Sequence, residues 1–382
     1  MARISLLCSD LAHGPVYTAW MFAGALKDAH SVELVGPRPQ RVWPPLADEL
    51  EATRLLPGAS PLRPNVRRRA LESTQGADLL YAFKARAASY GLGLWLRRRH
   101  GVPLALHLCD WDGGYFADRE LWRRAWYAAR AIRNIDSEPY LRLMERRAES
   151  ADLLTVSTRA LQRRFGGRVV RQGVDGVRFS PERFSRAEAR ERLGVASDAS
   201  LVVFTGTPAL HKGLEDLIAA VRSLPSDLNS QLLIVGNPPD PESAAVLAAG
   251  EEAGAVQVHE SVPFAVVPWY IAAADVVCAP QRSTAFAEHQ LPAKILHWMA
   301  MGACILATDV GDASEILGGD PPAGSVVPAG DPIELRDELA RLLGDDARRA
   351  ALGREAKARA DRLYSWPAMA RQLEQALGDV AL

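Results

Sequence analysis

LVVFTGTPALHKGLEDLIAAVRSLPSDLNSQLLIVG, residues 201–236, opens on an apolar run, passes through a short loop and a helical stretch at Gly213 to Arg222, and closes on a second apolar run. Short, continuous apolar runs bounded by turn residues and joined by a helix predict a βαβ unit, with parallel strands buried on both faces. The rhythm continues through DVVCAP (275–280) and ACILAT (303–308). Upstream, ISLLC (4–8), DLLYAF (78–83), PLALHL (103–108) and DLLTVS (152–157) alternate with helical stretches in the same way. The expected class is therefore α/β, with two doubly wound domains. Between the two series lies RQGVDGVRFSPERF (171–184), which carries Gly173, Gly176 and Pro181 and little periodicity, so the interdomain linker is expected there. A ligand is expected in the cleft facing the carboxyl ends of both sheets.

The composition agrees. A chain of 382 residues, 48% of them hydrophobic and with no low-complexity tract, has the length for two domains with full cores. No apolar stretch approaches the roughly 18 residues of a spanning helix, and Arg3, Asp10 and His13 spoil the N-terminus as a signal peptide, which gives a cytoplasmic expectation. Four dispersed cysteines without C-x-x-C spacing read as buried thiols. Net charge near zero hides an asymmetry: residues 1–182 hold 28 Lys and Arg against 19 Asp and Glu, and the remainder is acidic. Basic clusters such as Arg67 to Arg69 and Arg97 to Arg99 suit either solvated helix faces or peripheral contact with an anionic membrane. They are too scattered, and too bare of any accompanying motif, for nucleic acid.

Read in order, VSTRALQRRF, RQGVDGVRFSP, FTGTPALHKGLEDLIAAV, LLIVGN, VPFAVVPWYIAAADVVCAPQ, AEHQLPAKILHWMAMG, ACILATDVGDASEI, GSVVPAGDPIELRDELARLLGDD and LYSWPAMARQLEQAL resemble the successive segments of family 4 glycosyltransferases of the GT-B fold. The resemblance covers the C-terminal half densely and the N-terminal half thinly. It implies two Rossmann-like domains facing a cleft: an acceptor-binding domain at 1–175, a nucleotide-sugar domain at 176–365, and a last helix at 366–382 that crosses back to the first. It further implies a nucleoside diphosphate sugar as donor, an acceptor that the sequence does not name, retention of anomeric configuration, and no cofactor or metal.

The residues carry that chemistry in part. A diphosphate leaving group needs positive charge and backbone N–H donors where charge grows. Lys212, after the loop Gly206 to His211, is the first candidate, with an ordinary surface lysine as the other reading. The family's arginine after the loop glycine is Thr207 here, so one phosphate contact is in doubt. A second anion site is expected at the start of a helix from Leu291 to Met301, with Pro292 in its first turn and Ala293 beside it. Gly14 is expected to let the N-terminal backbone approach the diphosphate. Val262 and Pro263 match the stretch that cradles the base, and Glu315 matches a polar position near the donor.

The main departure lies in AEHQLPAKILHWMAMG, where relatives carry two glutamates and this chain has His289 and His297. A carboxylate accepts two hydrogen bonds from a ribose diol; a neutral imidazole accepts one and donates one. Altered donor preference, compensation by neighbours and loss of activity all remain open. The favoured one is a 2′-deoxyribose donor such as a thymidine diphosphate sugar, with His297 on the 3′-hydroxyl. Glu288 is a candidate carboxylate near the sugar. A His289–His297 metal site is disfavoured by its spacing.

In the N-terminal half, His107 and Asp110 close a strand and open a loop with two glycines, and are candidates for the donor sugar, with a core histidine as the competing reading of His107. Asp110-Trp111-Asp112 also fits a metal-binding Asp-x-Asp pattern of another glycosyltransferase fold. Lys84 and Trp111 are acceptor-side candidates. Trp122, Trp126, Tyr127 and Tyr140 read as a packed helix face or an acceptor pocket. Two alternatives accompany the transferase: a non-catalytic nucleotide-sugar binder and a sugar-nucleotide epimerase.

Overall fold

The computed structural model describes residues 1–12, 15–37, 46, 53–117, 120 and 134–380. They form two compact units, one of Met1–Gly173, His289–Leu291 and Trp366–Leu382, the other of Val174–Glu288 and Pro292–Ser365.

The first unit holds a seven-stranded sheet of β1 (Arg3–Leu7), β2 (Ser31–Pro37), β3 (Thr53–Leu56), β4 (Leu79–Phe83), β5 (Leu104–Leu108), β6 (Leu153–Val156) and β7 (Arg168–Val169). Its order is β3-β2-β1-β4-β5-β6-β7, and each described pairing is parallel. Strands β4 and β5 are buried at every residue, as a sheet covered on both faces requires. The strand order reverses between β1 and β4, and such switch points are where open α/β sheets bind ligands.

The second unit repeats the plan with β8 (Ser200–Thr205), β9 (Ser230–Val235), β10 (Gln257–His259), β11 (Val276–Ala279), β12 (Ile305–Thr308) and β13 (Ser325–Val327), in the order β10-β9-β8-β11-β12-β13. All its pairings are parallel too, and the switch point falls between β8 and β11. Val202, Phe204, Ile234, Val276 and Leu306 form the core with Leu214 and Leu217 of one covering helix and Leu335 and Leu339 of another. Every apolar run singled out in the sequence is a strand. Strands β2, β3, β7, β10 and β13 are additional: β2 is interrupted by Glu33, and the others are four residues or shorter.

The segment Trp366–Leu382 belongs to the first unit. The Trp366 ring meets Trp20 edge-on at 5.2 Å, and a Cβ on Gly24 would lie 2.6 Å from it, so glycine is what seats this tryptophan. Further along, Glu374 meets His30 at 2.8 Å and Gln372 accepts from the Arg171 backbone at 2.9 Å. Among the described residues no helix is long and apolar enough to cross a membrane.

Candidate functional sites at the two switch points

In the second unit three strand ends converge closely. Gly206, after β8, has φ 107, and a Cβ on Gly236, after β9, would sit 2.3 Å from its carbonyl oxygen. Gly213, at φ 72, approaches Pro280 after β11 so nearly that a Cβ would meet that carbonyl at 1.7 Å. No side chain fits there, and glycine lets the loop fold over the switch point. The loop ends in a short turn, Leu210–Lys212, so Lys212 is set where the β8–β11 crevice opens, half-buried. Thr207 is exposed on the same loop.

The helix Ala293–Ala300 packs over this end of β8. Trp298 is fully buried and its indole N–H donates to Thr205 Oγ1 at 3.1 Å. Lys294, in the helix's first turn, lays its Nζ 3.4 Å from the centroid of the Phe204 ring. Burial and then Lys212 hold the Lys294 ammonium well below the usual lysine range. His211 is lowered to about 4 by burial first and then by Lys212 and Lys294. Pro292 is the N-cap rather than a first-turn residue, and the helix begins at Ala293, later than expected. Leu291 and His289 belong to the first unit.

His297 lies on the same helix but serves packing. It is 7% exposed, stacks on Phe179 at 4.4 Å and meets Phe264 at 5.1 Å. Burial, with Arg178 adding to it, lowers its pKa to about 3. A ring enclosed by two phenylalanines does not grip a ribose, so that expectation, and the thymidine preference drawn from it, is withdrawn. Val262 and Pro263 directly precede Phe264, Val262 half-buried and Pro263 exposed. Glu288 accepts from Ser283 Oγ at 2.5 Å and from the Gly311 N–H at 3.0 Å, so its carboxylate ties two loops together instead of standing open for a sugar. Glu315 is exposed on the short helix Ala313–Leu317.

The switch point of the first unit carries a buried ion cluster. Lys84, just after β4, adopts φ 66, a conformation that L side chains rarely take. Its Nζ bridges Asp110 Oδ2 at 2.6 Å and Asp112 Oδ1 at 2.9 Å, and Arg86 reaches Asp112 through Nε at 2.9 Å and Nη2 at 3.1 Å. Lys84 therefore does not face an acceptor as expected: its charge is met within the protein, and burial alone would lower a pKa that Asp110 and Asp112 instead raise. The same pairing removes the Asp-x-Asp metal reading, since both carboxylates are engaged by cations. Trp111 stands between Arg164, 3.4 Å from its ring, and His289, 5.0 Å away. Gln290 Nε2 donates to Asp110 Oδ1 at 3.4 Å. The structure thus brings His289 and Asp110, both expected at the donor sugar, together with the acceptor-side candidate Trp111.

His107 is a correction as well. It is wholly buried in β5, its Nδ1 3.0 Å from Thr155 Oγ1 and its Nε2 3.0 Å from Ser157 Oγ, so both ring nitrogens are occupied in the core. Burial lowers its pKa to about 3. Gly14 and the tryptophans Trp122 and Trp126 with Tyr127 lie outside the described residues. Arg86 lies outside every segment quoted from the sequence, Arg164 stands there only as one of the basic pair in VSTRALQRRF, and Gln290 and Lys294 sit in AEHQLPAKILHWMAMG, where nothing marks their partners.

Neutral burial of His107 and His297 has a pH consequence. An unfolded histidine takes up a proton near pH 6.5. These two do not until about pH 3, so the unfolded chain binds more protons throughout that interval. Stability should therefore fall as pH drops below about 6.5, by up to about 1.4 kcal/mol per histidine per pH unit. Urea midpoints at pH 7 and pH 5 measure this, and H107Q should flatten the dependence. Equal midpoints for the unaltered protein would contradict it.

Comparison with known proteins follows the same lines. A family model described as "Glycosyl transferases group 1" matches residues 199–345. A D-inositol 3-phosphate glycosyltransferase of Xylanimonas cellulosilytica is 32% identical over 236 residues, 57% of this chain and 54% of that protein. A lipopolysaccharide core biosynthesis mannosyltransferase, LpsB of Rhizobium meliloti, is 27% identical over 54% of this chain and 58% of its own. The chain thus spans little more than half the length of these two relatives. Among solved structures, Anabaena HepE in complex with UDP-glucose matches with a TM-score of 0.79 at 18% identity over 100% of both chains. Sucrose-phosphate synthase of Thermosynechococcus elongatus matches at 0.75 and 20% identity over 98% of both. The fold is the two-domain GT-B type.

Proposed function

We infer that this chain, whose residues 199–345 belong to the group 1 glycosyl transferases, moves a sugar from a nucleoside diphosphate donor to an acceptor hydroxyl with its anomeric configuration retained. The observation that carries the reading is the β8–β11 switch point, where the Gly206–Gly213 loop sets Lys212 beside the first turn of the Ala293–Ala300 helix, so that positive charge and a helix start meet. Positive charge fixed before reaction stabilises a departing diphosphate without any rearrangement. A lysine can do here what a divalent cation does elsewhere, so no metal is invoked.

In this reading the bond from the sugar's anomeric carbon to the diphosphate oxygen breaks, and its electron pair stays on the diphosphate. The acceptor oxygen bonds to the same carbon from the same face, and its proton passes to the departing phosphate. No protein base is required. Gly206, Thr207, Ala293 and Lys212 line the phosphates, Val262 and Pro263 the base, and Glu315 lies on the donor side. Asp110, Trp111 and His289 form the acceptor side. A UDP-glucose complex in HepE and an inositol phosphate acceptor in the name of one relative support this class of substrates. We assign the protein to the cytoplasm, with peripheral contact to anionic lipid through its basic clusters. Arg67 and Arg99 of those clusters hold to the Trp95 ring at 5.2 and 5.5 Å.

A screen of purified protein against UDP, GDP, ADP and TDP sugars, read by melting temperature and by slow release of diphosphate, tests this. A true donor at about 100 times its Kd should stabilise the fold by about 2.7 kcal/mol. Stabilisation with release of nucleoside diphosphate is the expected result. Stabilisation with no turnover under any acceptor would favour the non-catalytic binder that the two histidines suggest, and a sugar isomerised without an acceptor would favour an epimerase.

A further inference from the structure

We propose that Lys294 is a second diphosphate-binding cation of this site, supplying from the Ala293–Ala300 helix the charge that Thr207 does not supply from the loop. The proposal rests on the transferase reading above and names a residue that reading did not need.

Three observations carry it. Lys294 has no carboxylate partner among the described residues; its Nζ lies against the Phe204 ring face at 3.4 Å, with the Trp298 ring at 5.7 Å. That stack holds the ammonium in place over the end of β8 without neutralising it. Arg282, a cation close after β11, behaves differently: it is saturated by Asp216 at 2.9 and 2.8 Å and by Glu215 at 2.9 Å, both in the first turn of the helix Leu214–Arg222. The chain thus neutralises one cation beside the switch point and leaves Lys294 unneutralised. Secondly, Lys294 and Lys212 are close enough to repel, and His211 feels both. Cys278, the other titratable group facing Lys294, is a buried thiol whose pKa is raised, so it supplies no anion. Asp240, which His211 also feels, is spent capping the helix Pro241–Glu252 through the Ser243 N–H at 2.8 Å. A diphosphate brought to this strand end would relieve the repulsion that Lys212 exerts on Lys294. Thirdly, Lys294 sits in the first turn of its helix, where free N–H groups and the helix dipole favour the same anion. A diphosphate can meet two lysines and a helix start together; a monophosphate offers too few oxygens to engage all three.

Calorimetric binding of UDP, GDP, ADP and TDP and of the matching monophosphates to the full chain and to the variants K294M and K294R tests this. A charge-assisted contact of this kind corresponds to about 10- to 100-fold in affinity. K294M should weaken whichever diphosphate the unaltered protein binds by that factor and change the matching monophosphate less than about threefold, while K294R restores most of the loss. Because burial and Lys212 lower the Lys294 pKa, diphosphate binding should raise it, and the proton taken up is seen as a buffer-dependent heat that K294M lacks. The ligand-free K294M protein should melt no lower than the unaltered one, since an unneutralised charge has been removed. Diphosphate affinity within threefold of the unaltered protein, or equal losses for mono- and diphosphate, would overturn the proposal while leaving the transferase reading intact. An unaltered protein that binds none of the four diphosphates overturns both.

Discussion

Replacing Lys212 by alanine should lower kcat for sugar transfer about 10²- to 10³-fold, the usual loss when one fixed stabiliser of developing charge is deleted. The size follows from position. Lys212 ends the turn after β8 and is held by Gly213, whose approach to Pro280 leaves no room for a side chain, so the ammonium cannot be replaced by a neighbour sliding in along the loop. In the proposed reaction the diphosphate gains negative charge as its bond to the anomeric carbon breaks, so a lysine placed against it acts more on the transition state than on the bound donor. The loss should therefore appear chiefly in kcat, with KM for the donor changed less than tenfold. K212R should recover part of it, because charge is kept and geometry is not. Steady-state kinetics with the donor found by the nucleotide-sugar screen measure this; a K212A variant with more than a tenth of the unaltered kcat would remove Lys212 from the chemistry.

What the sequence tells about this site follows the range of the interactions. LVVFTG, DVVCAP and ACILAT announce β8, β11 and β12 because burial of a parallel strand on both faces makes every residue apolar, a purely local signal. β2 escapes because Glu33 breaks the run; the fold accepts that carboxylate by giving it Arg3 at 3.3 Å and Ser5 at 2.9 Å, partners on β1 that no local pattern reveals. The loop glycines were legible as loop residues, yet only the fold tells that Gly213 meets Pro280. Lys84 reads as an acceptor-side lysine for the same reason: the aspartates that claim it arrive from the far end of β5. Lys294 went unnoticed because the two missing glutamates drew the reading to His289 and His297, whereas the ring that holds Lys294 lies on β8. Periodicity locates elements; it does not say which side chains their ends bring together.

Asp112→Ala should cost the fold about 3 to 5 kcal/mol, the loss expected when one member of a buried ion cluster is removed and the others stay charged. Asp112 is 6% exposed and serves two cations, so its removal leaves Arg86 with Asp136 at 3.4 Å and Lys84 with Asp110 alone. Lys84 also carries the left-handed backbone that its contacts sustain, at a cost of about 1 to 2 kcal/mol for a residue with a Cβ. Urea unfolding of D112A, K84M and the double variant separates these effects. The double variant should be less destabilised than the sum of the single ones by about 1 to 3 kcal/mol, because removing both ends leaves less charge unpaired; strict additivity would mean that the pair does not interact. The pH dependence has its own sign. Burial would raise the Asp112 pKa, but Lys84 and Arg86 overcome it and hold the carboxyl well below the usual range. A depressed carboxyl contributes fully above the unfolded value of about 3.9 and loses that contribution as pH falls through the folded one. Lys84, raised in the fold, contributes fully below about pH 10.4 and loses its share only as pH rises through its folded value. Between about pH 5 and 10 the cluster is therefore silent, and a loss of stability that begins near pH 6.5 belongs to histidines whose pKa the fold lowers, His107, His297 and His211 among them. D112A should lower the stability curve across that whole window without changing its slope.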